Sequence, residues 1–113
     1  MSQLRGEAAE DQVAAFLERR GLRILARRWR GRSGEIDLIC EDGITTVFVE
    51  VKSAASFAAA AQSLLPRQVA RIRAAAGEFA ACLPAGLDSD MRFDVALVDG
   101  AGRIEIIGNA LDP

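Results

Sequence analysis

The residues best placed to do chemistry are Glu35, Asp37, Glu50 and Lys52, in two stretches either side of Asp42-Gly43. Ile36, Leu38 and Cys40 alternate with Glu35, Asp37 and Ile39. Thr45 to Lys52 is rich in the β-branched and aromatic residues that strands prefer. An Asp-Gly pair between two such runs is a strong two-residue hairpin signal. With Asp42 and Gly43 as the loop, Glu41 pairs with Ile44, Asp37 faces Phe48 and Glu35 faces Glu50. Side chains alternate across a sheet. Ile36, Leu38, Cys40, Thr45, Val47, Val49 and Val51 then share an apolar face. Glu35, Asp37, Ile39, Thr46, Phe48, Glu50 and Lys52 share the other. In this register Asp37 and Glu50 are diagonal neighbours, with Cα atoms roughly 7–8 Å apart, near enough for two carboxylates to share one ion. Glu35 opposite Glu50 adds like-charge repulsion, which calls for a cation. Lys52 supplies one charge. Oxygen ligands completed by water suit Mg²⁺ or Mn²⁺. The plain alternative is a solvated acidic face, but Ile39 and Phe48 on that face argue for a cover.

What the chain lacks narrows the chemistry further. Among 113 residues there is no His and no Tyr, and of 14 basic residues all but Lys52 are Arg. A Ser-His-Asp or Cys-His system has no base. A zinc site built on His is excluded, and two Cys cannot make a four-Cys site. Acid–base work falls to carboxylates, to Lys52 or to a metal-bound water.

These residues need a scaffold, and the length predicts one domain over residues 1–113. A hydrophobic fraction of 50% against 27% charged reads as globular. Cys40 and Cys82 offer no disulfide framework and suit a reducing cytosol, as small buried hydrophobes. The polar segment from Met1 to Glu10 is unlike a signal peptide, no apolar run reaches the ~18 residues of a span, and a cytoplasmic location is expected. Ala9, Val13, Phe16 and Leu17 predict a helix over 3–20, stopped at Gly21. A strand is expected over 22–29. Residues 53–65, rich in Ala, read equally as a loop or a nascent helix. Val69, Ile72, Ala76, Phe79 and Leu83 predict an amphipathic helix starting at Pro66. Strands are expected over 92–99 and 103–108. The fold class is α/β: a mixed sheet flanked by helices, in the order α-β-β-β-α-β-β.

The run Gly34-Glu35-Ile36-Asp37-Leu38-Ile39, followed by Val47-Phe48-Val49-Glu50-Val51-Lys52, closely resembles the YraN-like family of small bacterial proteins. That family is similar to Holliday-junction resolvases and belongs with the PD-(D/E)XK nuclease superfamily. Gly6, Glu10, Ala14 and Leu17 fit its first helix, and Arg92-Phe93-Asp94-Val95 its late strand. The resemblance implies a restriction-endonuclease-like core and hydrolysis of DNA phosphodiester bonds, with branched or single-stranded DNA as candidate substrates. Asp37 and Glu50 would be the metal ligands, helped by the Val51 carbonyl, and Lys52 would orient the attacking water. Glu10 would add a catalytic carboxylate. The chain departs from the family pattern at Ser53 and Ala54, where an Arg is usual. It departs again at Gln68, where a Lys commonly begins the next helix, although Pro66, Arg67 and Arg71 fit.

Between Arg19 and Arg32 there are seven Arg and no acid. Arg28, Arg30 and Arg32, leading into the hairpin, are expected to follow a phosphate backbone. A basic edge strand that resists aggregation is the alternative. The expected partner is nucleic acid, DNA foremost, with no membrane; assembly as a homodimer stays open. Two further functions compete with the nuclease. One is a noncatalytic nucleic-acid-binding module on a nuclease scaffold, motivated by the departures at 54 and 68. The other is a protein-interaction domain docking through 53–65.

Overall fold

The computed structural model describes residues 2–110. Helix α1 (Ser2–Arg19) is followed by strands β1 (Arg23–Arg30), β2 (Glu35–Asp42) and β3 (Thr45–Ser53). Helices α2 (Phe57–Gln62) and α3 (Pro66–Ala80) lead through a 3₁₀ turn (Gly86–Asp88) to strands β4 (Met91–Val98) and β5 (Ile104–Ile107). The order is therefore α-β-β-β-α-α-β-β, with one more helix than expected. Ser56 explains it: its hydroxyl caps α2 by accepting the Ala59 N–H at 3.1 Å, which lets the Ala-rich segment express its helical propensity.

The five strands lie side by side in chain order. All neighbours are antiparallel except β3 and β4, which are parallel. Parallel neighbours need a long crossover, and α2 and α3 provide it. Helices cover both faces. On one, Ala9, Val13, Ala14 and Leu17 of α1 pack on Leu38, Cys40, Val47, Val49, Ala96 and Val98. On the other, Ala75 and Ala76 of α3 close over Ile36, Ile39 and Phe48, while Ile72 and Ala60 join Val95 and Leu97. Phe48 stacks on Phe93 (centroids 5.4 Å apart) and meets Phe79 edge-on at 6.0 Å. The second face of the hairpin is thus roofed by α3. Among the described residues, no helix is long and apolar enough to cross a membrane.

Two local expectations change. The hairpin loop is Gly43-Ile44, with Asp42 paired to Thr45. Gly43 has φ +62° and Ile44 does not share the positive φ, the pattern of a turn with Gly at its first central position. The pairing moves by two residues, which preserves every face because the side-chain period is two. Ile36, however, packs under α3 and not with Leu38. The cause is in β1. Arg28 has φ +50°, a left-handed conformation costing roughly 1–2 kcal/mol, and it interrupts the alternation of that strand. Arg27 and Arg28 consequently both reach acids of α1, and Trp29 turns with its partner Ile36 toward α3.

Candidate functional site

The β2–β3 ladder is closed as far as Leu38 and Val49. Past that pair, the Asp37 and Glu50 carboxyls stand within hydrogen-bond reach of each other. Here the ladder opens, and the Val51 N–H donates to Asp37 Oδ2 at 2.8 Å. Glu35 does not oppose Glu50 as the sequence suggested. It pairs with Arg30 across β1, and Arg30 Nη2 lies 3.0 Å from Glu35 Oε2.

Glu50 is 8% exposed, and Lys52 Nζ stands 3.2 Å from Glu50 Oε2. Burial, and then the charge of Glu50, push the Asp37 carboxyl up to about 7. Burial also raises Glu50, against the pull of the Lys52 ammonium. Two carboxyls held this close resist losing both protons. Glu10 reaches the pair from α1. Burial raises its pKa while the hydrogen bond from Arg28 lowers it. Glu10 Oε1 accepts from Arg28 Nε at 2.8 Å, and Arg28 Nη1 also holds Glu7 at 2.9 Å.

Among the described residues, no three His, Cys, Asp or Glu side chains stand close enough to ligate one ion. The donor set is the Asp37–Glu50 pair, with Glu10 shared between Arg28 and Asp37. A two-carboxylate set fits Mg²⁺ or Mn²⁺, which keep several waters. A buried and a half-buried acid with raised pKa values are also the groups a divalent cation would relieve of their protons.

Asp37 and Glu50 line a cavity of about 330 Å³ with Gly34, Gln68, Arg71 and Ile72. Gln68 Oε1 accepts from the Leu65 N–H at the start of α3 (3.1 Å). Of the basic residues expected to meet a phosphate backbone, Arg28 and Arg30 are held by carboxylates. Arg32 is exposed, and its backbone N–H donates to Glu78 Oε1 at 2.6 Å. Arg71 and Glu78 entered the site unforeseen. Helical spacing put both on α3, but nothing local said which loop they would meet.

Outside the site, Asp94 is buried and takes both Arg92 Nε (3.0 Å) and the Asn109 N–H (3.1 Å), fastening the segment after β5. Burial pushes the Cys40 thiol up to about 12, which suits an inert core residue. A larger cavity of about 640 Å³ lies between α1 and the ends of β3 and β4. Its buried Asp99 already accepts from Ala101 and Arg103.

Residues 9–98 match the family described as "Uncharacterised protein family UPF0102". A UPF0102 protein of Ruegeria pomeroyi is 59% identical over 107 residues, covering 95% of this chain and 87% of that protein. One from Cereibacter sphaeroides is 56% identical over 105 residues, covering 93% and 90%. One from Roseobacter denitrificans is 50% identical over 106 residues, covering 94% and 82%.

Proposed function

This chain belongs to the uncharacterised protein family UPF0102, and we propose that it is a metal-dependent nuclease that hydrolyses DNA phosphodiester bonds. The observation carrying this reading is the Asp37 carboxyl beside that of Glu50 where the hairpin ladder opens, with Lys52 Nζ 3.2 Å from Glu50. The resemblance of this hairpin to the PD-(D/E)XK nucleases supports it. Asp37 and Glu50 would hold Mg²⁺ or Mn²⁺, with the Val51 carbonyl as a further oxygen. When bound, the cation would lower the pKa of a water and offset charge on the phosphate.

The chain's own residues do the rest. Val51 fixes Asp37 Oδ2 through its N–H, so that carboxylate is oriented before any ligand arrives. Lys52, held by Glu50, places an ammonium beside the acids, where it orients the attacking water as a point charge. Glu10 supplies a carboxylate from α1 that Arg28 keeps in place. The test is cleavage of branched and single-stranded DNA with Mg²⁺ or Mn²⁺. Wild type should cleave, and Asp37→Asn and Lys52→Ala should each lose at least about a hundredfold, the scale on which single charge-stabilising groups act. Activity surviving both changes removes this site from the mechanism.

A second reading is a nucleic-acid binder without hydrolysis. It is favoured by Ala54 and Gln68, which stand where the family that this hairpin resembles commonly has Arg and Lys. It requires salt-sensitive DNA binding by a protein that cleaves with no divalent cation.

A further inference from the structure

We infer that Arg71 is the phosphate-contacting residue of this site, and that the substrate backbone runs from the Asp37–Glu50 pair along the trough between α3 and the 31–34 loop. The inference rests on reading the site as one for phosphodiesters. Arg71 lines the cavity that holds Asp37 and Glu50, and also an adjoining trough of about 390 Å³ with Arg30, Arg32 and Ser33. It therefore stands where the two spaces join.

Of the other cations near the acids three are committed, and Arg32, in no ion pair among the described residues, lines the trough but not the cavity of Asp37 and Glu50. Lys52 lies on Glu50, Arg28 on Glu7 and Glu10, and Arg30 on Glu35. Arg71 is exposed, and among the described residues no carboxylate lies within ion-pair distance of it. A phosphate entering a space walled by Glu35, Asp37 and Glu50 meets three acids. Beyond a bound cation it needs a positive partner, and a guanidinium matches phosphate oxygens with two parallel donors.

The wall is also built to hold. A methyl group on Gly34 would lie 3.1 Å from Arg71 Cβ, so the loop backbone packs on the base of this side chain. The Glu78 carboxylate pins the same loop to α3 by accepting the Arg32 and Ser33 N–H groups at 2.6 and 2.9 Å. The base of Arg71 and the loop thus form one surface.

The test uses the full chain with labelled single-stranded and branched DNA. Binding is followed by anisotropy with Ca²⁺ across a salt series, and cleavage with Mg²⁺ or Mn²⁺. Arg71→Ala should weaken binding about tenfold at about 50 mM salt and lower the slope of log affinity against log salt by about one. Arg71→Lys should keep the slope, because the charge remains. Arg73→Ala, exposed on the same helix, should change neither. Retained affinity and slope in Arg71→Ala, with wild type binding, overturns the inference and leaves the nuclease reading standing. A wild type that cleaves nothing but binds overturns hydrolysis alone, and the slope still decides Arg71. A wild type that neither binds nor cleaves overturns both.

Discussion

The Val51 N–H donates to Asp37 Oδ2 at 2.8 Å, at the point where a sheet hydrogen bond would otherwise continue the β2–β3 ladder. A carboxylate thus takes the place of a backbone acceptor. This opens the hairpin beside Glu50 while leaving no buried side-chain polar atom without a partner among the described residues.

Replacing the acid by its amide separates charge from shape. Asp37→Asn keeps an oxygen for Val51 but removes the like charge facing Glu50. Binding of Mn²⁺, measured by calorimetry, should fall at least about tenfold, since neutral ligands hold hard cations poorly. Without metal the variant should melt higher than wild type at pH 8, by roughly 4–8 °C for each kcal/mol of repulsion relieved. A lower melting temperature would contradict the strain assigned to this pair.

The pH dependence has a definite sign. The Asp37 carboxyl titrates at about 7 in the fold against an ordinary 3.8, through burial first and Glu50 second. The folded state therefore holds this proton more tightly than the unfolded chain does. The stability it contributes is complete below the ordinary value and is lost as pH rises through about 7. Metal affinity should run the other way, rising by about tenfold or more from pH 5.5 to pH 8 as the cation ceases to compete with the proton. Melting curves with and without Mg²⁺ across this range read both effects.

Two glycines should respond oppositely to alanine. At Gly31 the added methyl would stand 2.5 Å from Glu78 Oε1 and 2.8 Å from the Trp29 ring. The loop must then shift, at a cost of about 1–3 kcal/mol. At Gly77, inside α3, the methyl meets nothing within 4 Å, and lower backbone entropy should stabilise by about 0.5–1 kcal/mol. Urea unfolding of the two variants measures the contrast.

Phe48 tests whether α3 is the roof of the hairpin. It is 1% exposed, between Phe79 and Phe93. Phe48→Ala should cost about 3–5 kcal/mol. Ile44→Thr at the hairpin tip, where Ile44 is 86% exposed, should stay within about 0.5 kcal/mol. Equal losses in the two variants would mean that the covering helix contributes little.

Much of the hairpin was legible in the sequence. Alternation in 35–40 and 45–52 sorted the apolar residues of the hairpin correctly apart from Ile36, and the apolar company of Ile39 and Phe48 pointed to a cover. The loop was misplaced by one residue because Asp-Gly and Gly-Ile each offer a glycine to a two-residue turn. The resulting shift of two residues is invisible to a pattern of period two. It nonetheless removed Glu35 from opposite Glu50 and left Asp37 beside Glu50 at the end of the ladder.

The sequence by itself determined which residues alternate, which helices are amphipathic, and that carboxylates and one Lys carry the available chemistry. These are properties of near neighbours, set by the periods of strand and helix. Only the tertiary structure decided that Arg28 and Arg30 are held by acids, that Glu78 clamps the 31–34 loop, and that Arg71 stands beside Asp37 and Glu50. Apart from Arg30 and Glu35, five residues apart across the β1–β2 turn, those contacts join segments about 20 to 50 residues apart, and chain closure over such distances follows from the packing of two helices on opposite faces of one sheet. No local pattern encodes that packing.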